Sequence, residues 1–305
     1  MQNNITGDSM KKIFAAAAAL VLLVSVSGCT QTEKSEKLKN RQPNAAQSQK
    51  YDTYTGLAPL PPVTLETPDP SNENSFPEEK IEHSFGVAKN GKPHEISVKS
   101  QEFFESYGFD AVTYDRRKGK NLYLTFDCGY ENGYGEKILD VLREKKVPAA
   151  FFCTYTDIRD NAQLIARAIN EGHIIGNHST THPSFAEINR TKMTKEIEDC
   201  DNLLREKFGY TSPYFRFPKG EYSQSALNLV NSLGYKCVFW SLAYNDWDTE
   251  NQKGGDYAFD TVTSRLHPGA VILLHSVSAD NAEALGRIID YARENGYEFK
   301  SLDNL

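Results

Sequence analysis

KNLYLTFDCGYENGYGEKILDVLREKKVPAAFFC, residues 120–153, contains one complete strand–helix–strand unit. Residues 121–126 are apolar and β-prone, Ile138, Leu139 and Leu142 recur at the spacing of one helix face, and residues 149–153 form a second apolar run. The pattern continues downstream. Leu164, Ile165 and Ala168 mark the next helix, before which Asp160 and Gln163 have the spacing of a capping box. Ile174 and Ile175 predict a short strand, and Met193, Ile197, Cys200 and Leu204 line a longer helix. Further strands are predicted over 214–217, 237–242 and 270–274, with helices around 226–233 and 282–292 between them. Repeated units of this length imply an α/β fold with parallel strands, either an open doubly wound sheet or a barrel. Periodicity alone leaves that choice open.

The polar residues bear on it. Asp127, Asn177 with His178, Arg216, Asn245 with Asp246 and Trp247, and His275 each follow a different predicted strand. A closed barrel gathers several carboxyl strand ends around one mouth, whereas an open sheet uses mainly one crevice. The expectation is therefore a barrel.

Upstream of this domain the composition changes. Lys11 and Lys12 precede an apolar run over 13–26 that ends at Ser27-Gly28-Cys29. The run is shorter than the roughly 20 residues a bilayer-spanning helix needs. It resembles a bacterial lipoprotein signal, residues 1–29, with Cys29 lipidated; a plain secretory signal cleaved nearby is the other reading. Both imply export, and the first implies a membrane anchor on the outer face. Residues 30–82 are polar and proline-rich without apolar periodicity, and are expected to be a disordered tether. Residues 83–118, with Phe85, Phe103, Phe104, Tyr107, Phe109 and Tyr114, are expected to form an ordered flank packing on the domain at 119–305.

The formal charge of -7 over 305 residues leaves no broad basic surface, so no nucleic-acid partner is expected. At 39% hydrophobic residues the chain can bury a full core as a monomer. Apart from Cys29, four scattered cysteines do not make a disulfide framework. Cys153, Cys200 and Cys237 lie in apolar or helical patterns and read as small buried hydrophobes, while Cys128 directly follows Asp127.

A carboxylate, imidazoles at His178, His182 and His275, and a guanidinium at Arg216 are what metal-assisted hydrolysis needs. Two histidines four apart on a helical turn can face one ion, although such a pair alone is a weak signal. Asp127 alone could equally be a helix cap. The joint placement carries the reading.

These residues resemble the polysaccharide deacetylase (NodB-homology) family from about residue 118 to the end. The T-F-D-D motif stands as Thr125-Phe126-Asp127-Cys128, and H-S/T-x-x-H as His178-Ser179-Thr180-Thr181-His182. R-x-P-x-G stands as Arg216-Phe217-Pro218-Lys219-Gly220, followed by Asp246-Trp247 and Leu273-Leu274-His275. The resemblance implies a distorted (β/α) barrel that removes N-acetyl groups from amino sugars with one divalent ion, zinc. It makes Asp127 the general base, His178 and His182 ligands, and His275 the general acid. Arg216 would fix Asp127, Asp246 would orient His275, and the backbone N–H of Lys219 would face the oxyanion. Trp247 and Leu273 are either walls of the acetyl pocket or ordinary core residues.

Most family members carry a second, metal-binding aspartate where Cys128 stands. Strand alternation would turn Cys128 away from Asp127, whereas a bend at Gly129 could bring the two together. The expectation is that Cys128 supports the site without binding the ion. The strings around Cys128 and after His275 resemble the branch that deacetylates muramic acid in peptidoglycan, a step toward the δ-lactam of spore cortex. Two alternatives stand beside it. One is an N-acetylglucosamine deacetylase of peptidoglycan or another exported glycan; the other is a lipoprotein that binds glycan without catalysis.

Overall fold

The computed structural model describes residue 72, residues 75–117 and residues 119–305. The expected signal peptide, Cys29 and most of the expected tether lie outside the described residues. The strands are β1 (Ile81–Glu82), β2 (Ala111–Val112), β3 (Asn121–Cys128), β4 (Ala149–Cys153), β5 (Ile174–Asn177), β6 (Tyr214–Phe215), β7 (Glu221–Tyr222), β8 (Lys236–Val238), β9 (Ala270–His275) and β10 (Glu298–Phe299). The helices are α1 (Glu95–Tyr107), α2 (Gly135–Lys145), α3 (Tyr155–Asp160), α4 (Ala162–Asn170), α5 (Arg190–Phe208), α6 (Gln224–Ser232), α7 (Gly255–Thr263) and α8 (Ala279–Glu294).

Among the described residues, eight strands form one parallel sheet in the order β10-β3-β4-β5-β6-β8-β2, with β9 also pairing β3. The sheet curls into a distorted half-barrel. Its two ends meet through short contacts, in which the amides of Ser241 and Leu242 donate to Val271 O, Leu273 N donates to Leu242 O, and, just past β2, Tyr114 bridges Ala270 while Asp115 N donates to Gly269 O. A strand over the whole of 237–242 was expected; it stops at Val238, and residues 239–247 become the loop that carries Asp246 and Trp247 to the mouth.

Alternation along β3 sorts its side chains into two rows. Leu122, Leu124, Phe126 and Cys128 join the core under the helices with Phe151, Cys153, Ile138 and Leu142. Tyr123, Thr125 and Asp127 belong to the other row, where Tyr123 meets Phe152, Val238 and Val271 inside the curl. Burial on both faces explains why a parallel strand reads as a nearly continuous apolar run.

Local capping follows elementary hydrogen-bond needs with one departure from expectation. Thr154, Asn189, Ser223 and Ser278 accept from backbone N–H groups at the starts of α3, α5, α6 and α8. Asp160 caps nothing. It is the last residue of α3 and pairs with Arg159, and the helix it was expected to cap, α4, starts after it, with Asn161 at the N-cap and no side-chain cap.

The flank is more integral than expected. Phe104 on α1 is fully buried against Phe239 and Tyr222, and β2 is an edge strand of the main sheet. The expected tether boundary at 82 also falls inside ordered chain. Ile81 and Glu82 pair with Tyr222 and Glu221, Lys80 bridges to Glu221 at 2.8 Å, and Pro77 O accepts from Ser225 N.

Candidate active site

The carboxyl ends of β3, β5, β6 and β9 converge, and a cavity of about 720 Å³ opens there. Asp127, His178, His182, Lys219, Trp247, Leu273 and His275 all line it. Arg216 and Asp246 reach the lining residues from behind, both buried.

Asp127 ends the inner row of β3. Its Oδ1 accepts from Arg216 NH1 at 2.7 Å, and its Oδ2 lies 3.5 Å from His178 Nε2. Arg216 is completely buried, donates also to Val238 O, Thr125 Oγ1 and Phe239 O, and stacks 4.1 Å over the Phe152 ring. Burial pushes the Asp127 carboxyl up, but the charge of Arg216, with His178 and His275, outweighs it and holds the group below the usual range. Asp127 is therefore a carboxylate at neutral pH.

His178 Nδ1 lies 2.8 Å from Arg216 O, and a carbonyl can only accept, so Nδ1 carries the proton. Its Nε2 then presents a lone pair beside Asp127 when the ring is neutral. Burial lowers the His178 pKa and takes that of His182 down to about 4, so both rings are neutral donors. The rings stand 4.8 Å apart, centroid to centroid. Two neutral imidazoles with a carboxylate at the edge of a roomy cavity fit a divalent ion.

The histidines do not share a helical turn, as expected from their spacing. Ser179 and His182 have φ of 70° and 57°, and the loop is anchored by Glu196 on α5. Glu196 Oε2 accepts from the amides of Thr180 and Thr181 at 3.0 and 2.7 Å, and Oε1 accepts from Thr181 Oγ1. Nothing in the local pattern of α5 marks this residue, since the partner loop is 15 residues away.

His275 Nδ1 lies 2.7 Å from Asp246 Oδ1, and Asp246 Oδ2 accepts from His275 N and Asn281 Nδ2. Burial disfavours the imidazolium, yet Asp246 overcomes it and the His275 pKa ends above its ordinary value. Asn281, which orients Asp246, lies in the string after His275 that carries the branch resemblance, but that string assigns it no role.

Trp247 is 47% exposed and stands edge-on to His275 at 5.5 Å, so it is a cavity wall and not a core residue. Leu273 is both, packed with Trp240 and Ala243 while lining the cavity. Lys219 sits at φ 60° in a tight turn and its side chain is exposed. Gly220 beside it has φ 69°, and a Cβ there would lie 2.4 Å from His83 O, so the glycine admits the flank to the site. His83, Ser84 and Phe85 thereby join the wall. Cys128 does not. Its side chain lines a separate small cavity on the helix side of the sheet, and it is not brought together with His178 and His182.

Comparison with known proteins agrees with this geometry. Residues 114–238 match the family described as polysaccharide deacetylase. The chain is 43% identical over 236 residues to the peptidoglycan-N-acetylmuramic acid deacetylase PdaA of Bacillus subtilis, covering 76% of this chain and 88% of that one. It is 32% identical over 190 residues to a peptidoglycan-N-acetylglucosamine deacetylase of Bacillus cereus, covering 60% of this chain and 66% of that one. The solved structure of B. subtilis PdaA, a family 4 carbohydrate esterase, superposes with a TM-score of 0.72 at 42% identity, over 75% of this chain and 97% of that one.

Proposed function

Because the chain belongs to the polysaccharide deacetylase family and is a hydrolytic de-N-acetylase, we propose that it acts on the N-acetylmuramic acid residues of peptidoglycan. One observation carries the choice of sugar. Lys219 is the one lysine or arginine among the described residues that line the cavity. Muramic acid differs from glucosamine by a lactyl ether ending in a carboxylate, and an exposed ammonium at the mouth would pair with it. The pairing favours strands whose stem peptide has been removed, since an amide there carries no charge.

Asp127 takes a proton from water, whose oxygen adds to the acetyl carbonyl carbon. The backbone N–H of Lys219 faces the oxyanion. His275, held protonated by Asp246, gives its proton to the sugar nitrogen as the C–N bond breaks, releasing acetate and a free amine. Trp247 and Leu273 exclude water around the acetyl methyl group. A divalent ion, zinc in this reading, held by His178 and His182, would polarise the acetyl carbonyl and lower the pKa of water from 15.7 toward about 7. The new amine can close onto the lactyl carboxyl carbon, with loss of water, as a δ-lactam, which is the sporulation step we assign to it. Export with a lipid on Cys29 would place the enzyme at the wall; no described helix is long and apolar enough to cross a membrane.

The test is mass analysis of stem-free glycan strands after incubation with protein and zinc. Acetyl loss on the muramic residues is expected. Loss on glucosamine would move the assignment to the other sugar, and no acetate from either would leave a glycan-binding protein. Lys219→Ala is expected to raise KM for the stem-free strands about tenfold with kcat nearly kept, the effect of roughly 1.4 kcal/mol.

A pH profile checks the acid. His275 must be protonated, and its raised pKa puts the loss of activity above the ordinary imidazole value. In Asp246→Asn, burial acts unopposed by that carboxylate, so the alkaline limb of kcat/KM should move to lower pH. An unmoved limb would remove His275 from the role.

A further inference from the structure

On the helix-facing side of β3 and β4, directly behind Asp127, Cys128 and Cys153 stand side by side in parallel register. Both are buried free thiols. Asp157 on α3 completes a trio whose donor atoms all lie within 4.8 Å of one another. The three line a cavity of about 30 Å³ together with Glu131, Asn161 and Ser276, room for one water or one ion. Asp157 is buried; Asn161 Nδ2 donates to it at 2.7 Å, and the Cys153 thiol is hydrogen-bonded to it as well. No ion pair to Asp157 exists among the described residues, so its buried carboxyl group faces two thiols without a cation.

A disulfide fits this arrangement poorly. Neighbouring strands are about 4.8 Å apart, while disulfide Cβ atoms prefer roughly 3.5–4.5 Å. Two thiolates on a tetrahedral zinc with bonds of about 2.3 Å stand roughly 3.8 Å apart, a spacing the side chains reach by small rotations.

We propose that Cys128, Cys153 and Asp157 form a structural zinc site, separate from the catalytic cavity and independent of its substrate. Binding releases the two thiol protons to solvent and leaves the ion with two thiolates and a carboxylate. The fourth position falls to water or to Glu131. The remaining negative charge is met by hydrogen bonds from Ser276 and Asn161 on the same wall. Such a site would tie the ends of β3 and β4 to α3 and hold the backbone that presents Asp127.

The test is titration of metal-stripped protein with cobalt(II) under reducing, anaerobic conditions. A thiolate-to-cobalt charge-transfer band is expected in the wild type, retained in the His178→Ala/His182→Ala variant and lost in Cys153→Ser. Bound zinc should fall by one equivalent in Cys153→Ser. X-ray absorption of the wild-type zinc protein, which needs no substitution, should show sulfur in the coordination shell. Absence of the band and of sulfur in the wild type overturns the proposal. So does a band that survives Cys153→Ser but disappears with the histidines, which would place Cys128 on the catalytic ion.

Discussion

Replacing Asp127 by asparagine is expected to lower kcat by about 10²–10⁴-fold while changing glycan binding little, the range expected for loss of a general base. The substitution keeps the size of the side chain and an oxygen toward Arg216 NH1, now 2.7 Å from Asp127 Oδ1. What it removes is the charge that can take a proton. The group is ionised only because Arg216, His178 and His275 surround it and overcome the burial that opposes it. An amide has no comparable basicity, and no other described carboxylate lines the cavity to replace it. Steady-state rates on stem-free strands, with binding measured separately, check this. Full deacetylation by Asp127→Asn would make the mechanism wrong.

Arg216→Met should destabilise the fold by about 3–5 kcal/mol, the cost of leaving a buried charge without its partner. For a domain of this size that is a fall in Tm of roughly 6–20 °C. The guanidinium is completely buried and joins Asp127, Thr125, Val238 and Phe239, which come from β3, β8 and the loop after it. The sign of the pH dependence follows from Asp127. In the wild type its folded pKa is depressed, so it contributes stability above the unfolded pKa and loses it as pH falls. Without Arg216, burial raises that pKa, and protonation relieves the strain of an unpaired charge. The deficit of the variant should therefore narrow as pH falls toward the carboxylate range. Adding Asp127→Asn should recover part of the lost stability. Thermal unfolding across pH measures both; a variant as stable as wild type would mean the charge is solvated in a way this geometry excludes.

Much of the site was legible because each chemical residue follows a strand. Asp127, His178, Arg216, Asp246 and His275 could be placed at strand ends from apolar runs alone, and all five gather at one mouth. Less legible was the support. Glu196 holds the histidine loop and Asn281 holds Asp246, yet each looks like an ordinary helix residue. The capping box at Asp160 was misread because a local spacing does not show that this residue already closes a short helix, α3, before α4 starts behind Asn161.

By itself the sequence determined the alternation of strands and helices, the parallel sense of the sheet and the identity of the polar groups that meet at the mouth. Those follow from side-chain periodicity and from residue type, which are local. Tertiary structure alone decided how the half-barrel closes, at residues 241–242 and 114–115 against 269–273, and that β2 and His83 to Phe85 belong to the sheet and the cavity. It also decided Cys128. Alternation and a bend at Gly129 were both open to the chain, and β3 stays in register with β4 through Cys128, which sends the sulfur to Cys153 and away from the histidines. The reason is physical: a strand's pattern sets which side chains share a face, whereas which elements meet on that face depends on packing between segments far apart in the chain.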